Sequence, residues 1–173
     1  MLKKISIAVV VGVVSAGLAG QVSASECVTA KGKITNNAQP DGSTLGVVAL
    51  RLDDEKLRCG IVGLPQPVTS SYNFKHTIVC DDKASDDEAQ AQITFNTRFA
   101  SMPVFIGLCP DGSPAGPGSY AFSFEEISTP IPATARGAFQ GATDEKNIVI
   151  TGDFNCSGGI NMKFEGEICF ADE

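Results

Sequence analysis

Between Ala89 and Phe99 the chain alternates without a break. Ala89, Ala91, Ile93, Phe95, Thr97 and Phe99 fall on one side of an extended backbone, and Gln90, Gln92, Thr94, Asn96 and Arg98 fall on the other. A β-strand sends successive side chains to opposite faces, so this period of two predicts a strand with one face in a core and one in water. The pattern recurs. Tyr72, Phe74, His76, Ile78 and Cys80 alternate with Asn73, Lys75 and Thr77, and Tyr120, Phe122 and Phe124 alternate with Ala121, Ser123 and Glu125. Near the end, Ile148, Ile150 and Phe154 share one face, as do Ile160, Met162, Phe164, Ile168 and Phe170.

About ten strand segments are expected on this basis, at 27–35, 45–52, 56–62, 72–80, 89–99, 102–108, 118–127, 134–142, 147–156 and 160–169. Turn chemistry separates them, as in Pro40-Asp41-Gly42, Pro110-Asp111-Gly112 and Ser157-Gly158-Gly159. No segment after residue 24 carries a sustained helical stripe. The expected class is all-β: an antiparallel, meander-like barrel, with a β-sandwich as the alternative. Gly137, Gly141, Gly152 and Gly166 favour the barrel, because glycines in strands mark places where a sheet curls. The stretch from Gly137-Ala138-Phe139-Gln140-Gly141 to Met162-Lys163-Phe164-Glu165-Gly166 loosely resembles the late strands of allene-oxide-cyclase and dirigent-type barrels. That resemblance implies a barrel and carries no functional motif.

Residues 1–24 read as a signal peptide. Lys3 and Lys4 precede an uncharged run to Ser25, and Val22-Ser23-Ala24 is a small-residue cleavage site. Residues 25–173 then form a single disulfide-bonded β domain, with no integral membrane span left after the signal is removed. The short Lys-Lys signal points to export by a Gram-negative-type bacterium, into the periplasm or the medium. Losing two lysines makes the domain more acidic than the whole chain, whose net charge is −7. This argues against nucleic-acid partners. Outward strand positions are Gln, Asn, Lys and Glu, unlike the apolar band of an outer-membrane barrel.

All six cysteines lie beyond the signal, at Cys27, Cys59, Cys80, Cys109, Cys156 and Cys169. An even count in an exported chain predicts disulfides. The closest two are 13 positions apart, so no metal knuckle forms, and neither a metal nor a cofactor is expected. In a ten-strand meander Cys27 starts the first strand, and Cys80, Cys109 and Cys169 end even-numbered strands. These four share one end of the barrel. Closure sets the first strand beside the last, which predicts Cys27–Cys169. Cys80–Cys109 follows, and Cys59–Cys156 is left.

Chemistry is thinly marked. His76 is the single histidine and lies on the apolar face of its strand. No nucleophile motif accompanies it, so the reading leans away from an enzyme. The acidic run 81–88 offers oxygen ligands for calcium but not at EF-hand spacing, and a solvated loop is the expectation. The best functional reading is a small exported binding barrel for an apolar or amphipathic ligand, lined by Phe74, His76, Phe95, Phe122, Phe124 and Phe164. The alternative is a structural or surface-assembly protein with a solid core, no small-molecule ligand and an unidentified protein partner.

Overall fold

The structure is a computed structural model and describes residues 25–81, 90–109 and 120–171. The expected signal segment 1–24 and most of the acidic run, 82–88, lie outside the described residues.

Among the described residues nine strands run β1 (Glu26–Ala38), β2 (Thr44–Leu52), β3 (Glu55–Pro65), β4 (Phe74–Cys80), β5 (Ala91–Phe99), β6 (Val104–Leu108), β7 (Tyr120–Pro130), β8 (Ile148–Phe154) and β9 (Gly159–Phe170). All pairings between them are antiparallel. The strands form one sheet in the order β5-β4-β3-β2-β1-β9-β8-β7-β6, and a β5–β7 pairing closes it. Eight strands therefore make a closed barrel, and β6 is an extra strand.

β6 joins the wall in an unusual way. β5 pairs with β7 from Glu126 to Pro130, whereas β6 pairs with β7 from Tyr120 to Ser123. β8 occupies the other edge of β7. β5 and β6 therefore lie end to end along one edge of β7 and run in the same direction.

The expected strand at 134–142 does not form. Two single 3-10 turns occupy the region, at Pro132–Thr134 and Gly137–Phe139. The two prolines Pro130 and Pro132 remove ladder donors, and Gly137 takes a positive φ of 58°. β7 stops opposite Phe95, four residues short of the start of β5, which leaves a gap in the wall between β5 and the end of β9. Arg136 exchanges two backbone hydrogen bonds with Gln92 on one side, at 3.1 and 2.9 Å. On the other, Thr143 N–H donates to the Cys169 carbonyl at 2.8 Å, and Ala171 N–H donates to that of Gly141 at 2.9 Å. Phe139 drops from this segment into the core and is fully buried. The end of the barrel where β1 begins is thereby shut.

The disulfides follow the observed register. Cys27 faces Cys169 on β1 and β9, and the two are bonded. The other two expected pairs are corrected: Cys59 bonds Cys80, not Cys156, and Cys109 bonds Cys156, not Cys80. For Cys59 the cause is the hairpin centre. β3 reaches Pro65 and β4 starts at Phe74, so Cys59 and Cys80 stand directly opposite. Ending β3 at residue 62 and starting β4 at 72 would set Cys59 opposite Lys75 instead. For Cys109 the cause is strand direction. β6 and β8 flank β7 and are parallel to each other, so their ends meet near the start of β7, with the two Cα atoms 5.3 Å apart. The false strand at 134–142 and the counting of β5 and β6 as opposed strands were two errors of parity. They cancel at Cys169, which is why Cys27–Cys169 stands, and they do not cancel at Cys109. All six cysteines are paired, which places the folded chain in an oxidising, non-cytoplasmic environment. Among the described residues no helix is long and apolar enough to cross a membrane.

Candidate functional site

The inward faces of the strands fill the barrel unevenly from end to end. Towards the shut end they are aliphatic: Ile34, Ile61, Ile78, Ile93, Ile148, Ile150 and Ile168 are all essentially inaccessible. Phe95 and Phe164 pack among them, edge to face with centroids 5.8 Å apart, and each is 1 % exposed. These two expected cavity residues belong to the solid core and do not line the cavity.

Above that layer the barrel is hollow. The cavity measures about 1110 Å³, and its lining includes the turns that join β1 to β2 and β8 to β9 and the link between β5 and β6. Phe74, His76, Phe122 and Phe124, four of the expected residues, do line it. They belong to an arc of rings. His76 stacks on Phe74 (5.6 Å), Phe74 meets Phe99 (6.2 Å), and Phe99 meets Phe124 (6.1 Å). Phe124 then meets Phe122 (6.1 Å), which stacks on Phe154 (5.0 Å). The arc crosses β4, β5, β7 and β8 because the inward positions of adjacent strands stand opposite one another, as Phe122 does with Phe154. Ile160 and Met162 on β9 line the cavity from the β1 side.

The base of the hollow is polar. His76 Nδ1 lies 3.1 Å from Thr97 Oγ1, which lies 2.8 Å from Ser128 Oγ. Burial holds the His76 imidazole neutral, with its pKa pushed down to about 4. Asn36 Nδ2 donates to Thr44 Oγ1 at 3.2 Å, while Asn36 Oδ1 has no partner. Glu126, 3 % exposed, also lines the cavity and leaves Oε2 without a partner. Burial raises its pKa to about 7, so near neutral pH it stands between its charged and uncharged forms.

Two inward glycines make room for this layer. A Cβ on Gly63 would meet Thr44 Oγ1 at 2.5 Å and His76 Cδ2 at 2.7 Å, and a Cβ on Gly46 would fall on the Asn36 side chain. Close approach of the side chain on the neighbouring strand is what these positions require.

Glu126, Asn36, Thr97, Ser128, Phe99 and Phe154 were not among the expected site residues. A signal for Glu126 was present. Glu125 and Glu126 are consecutive in a strand, so one of them has to face inward, and extending Phe122–Phe124 by two selects Glu126. Among the described residues no group of three or more His, Cys, Asp or Glu side chains is placed to hold a metal ion. Searches against known protein families, characterised proteins and solved structures find no match to this chain.

Proposed function

We propose that this chain is an exported, cup-shaped binding protein of the periplasm or the extracellular space, and that it holds an amphipathic small molecule. One observation carries the reading: a cavity of about 1110 Å³ walled by aromatic rings and based on buried polar groups, two of which have an unpaired acceptor atom. A site that is mostly apolar with a few converging polar groups is the usual form of a small-molecule pocket. A structural subunit with a filled core has no use for such a hollow, since unfilled apolar space forfeits packing energy. His76 is oriented by Thr97 rather than by a carboxylate, and the hydroxyl relay beyond it ends on Ser128. That arrangement suits holding a ligand more than activating a nucleophile.

The test is direct. Native mass spectrometry of the purified protein is expected to show an added small mass that organic solvent removes. The emptied protein is expected to brighten an apolar naphthylamine dye at one site per chain, against a background free of tryptophan. A protein that carries no added mass and leaves the dye dark would exclude the binding reading.

A further inference from the structure

We propose that the cavity takes a cationic amphiphile, an apolar body with an ammonium head directed at Glu126. This rests on the binding reading above and names the ligand class of that site.

The first support is the state of two unpaired polar atoms. Glu126 Oε2 and Asn36 Oδ1 are both buried, both on cavity-lining residues, and both acceptors without a donor. Buried polar groups are almost always paired, so two cavity-lining residues that each keep an unpaired acceptor favour a ligand that brings N–H groups and that the side chains turn to meet.

The second support is charge. Among the described residues no Lys or Arg lines the cavity, so Glu126 has no counter-charge from those walls. The chain's net charge of −7 favours the approach of a cation.

The third is the rings. Phe99 stands directly across the β5–β7 pairing from Glu126, and Phe124 precedes it on the same inward face. Aromatic faces attract a cation, most strongly where water is excluded. A carboxylate head would instead set a second negative charge and further acceptors against Glu126. A hydroxyl head would satisfy an acceptor but leave the charge unbalanced.

The experiment compares dodecylamine, dodecanol and dodecanoate as competitors of the naphthylamine dye, at about pH 8, where Glu126 is ionised. Dodecylamine is expected to bind wild-type protein about tenfold or more tighter than either of the others, the size of a charge-assisted hydrogen bond. Glu126→Gln is expected to remove most of that preference and leave dodecanol unchanged. The wild-type ranking needs no variant, so a poorly folding Glu126→Gln does not rescue the proposal. Dodecanol or dodecanoate binding as well as dodecylamine overturns the ammonium assignment and leaves the binding reading intact. An undiminished amine preference in folded Glu126→Gln overturns the role of Glu126. If none of the three displaces the dye and the dye itself does not bind, both readings fall.

Discussion

At the scale of single residues the buried pair of titrating groups sets the pH response of the fold. Glu126 has a folded pKa near 7 against 4.5 for the free group. The stability tied to its proton is present below about 4.5 and is lost as pH rises through 7. His76 has a folded pKa near 4 against 6.5. Its depressed value means that stability is present above about 6.5 and is lost as pH falls through 4. The two slopes oppose each other between about pH 4.5 and 6.5, so these groups nearly cancel in the wild type. Single variants should unmask them. Relative to wild type, Glu126→Gln is expected to gain roughly 3 kcal/mol between pH 4.5 and 7, at about 1.4 kcal/mol per pKa unit. His76→Gln is expected to gain a similar amount as pH falls from 6.5 to 4. Urea unfolding at a series of pH values measures both, and a pH-independent difference in either variant contradicts the assigned titration. At Gly63 a methyl group would press on Thr44 and His76. Gly63→Ala is expected to cost about 1–3 kcal/mol by overpacking, read as a lower urea midpoint.

At the scale of elements the barrel depends on two devices that are not strands. The 131–147 segment closes the gap between β5 and β9 and lowers Phe139 into the core. Phe139→Ala is expected to cost about 3–5 kcal/mol, as a large side chain lost from a tight core does. Dye binding per folded molecule should be unchanged, because Phe139 does not line the cavity. Loss of dye binding in the folded variant would mean that the two ends of the barrel are coupled. The disulfides are the second device. They close loops of 142, 47 and 21 residues for Cys27–Cys169, Cys109–Cys156 and Cys59–Cys80. Loop-closure entropy ranks their contributions in that order, at roughly 5, 4 and 3 kcal/mol. Paired Cys→Ser variants followed by denaturant unfolding test the ranking. Loss of Cys109–Cys156 should also speed amide exchange in β6, which this bridge pins to the end of β8.

At the scale of the whole molecule the chain is a cup: shut where β1 begins, solid through its lower layers, and hollow above a polar base. Much of this was legible in advance. Alternation at Ala91–Phe99, Phe74–Cys80 and Ile160–Phe170 located those strands, because facing is a local property of an extended backbone. The same alternation put Phe74, His76, Phe122 and Phe124 on inward faces, where the structure has them lining the cavity. Facing inward does not say how high in the barrel a residue sits. Phe95 and Phe164 alternate as cleanly, yet they pack against each other in the core and do not line the cavity. Height is set by the register between strands, and a shift of the β3–β4 turn by a few residues was enough to exchange the partner of Cys59. The sequence by itself therefore determined an all-β, disulfide-bonded chain with its inward faces marked. Only the tertiary structure decided which inward groups come together, that β5 and β6 continue one line, and that Glu126 and Asn36 line one cavity while each keeps an unpaired acceptor. These are relations between residues far apart in the chain, fixed by closure of the sheet and not by any local preference.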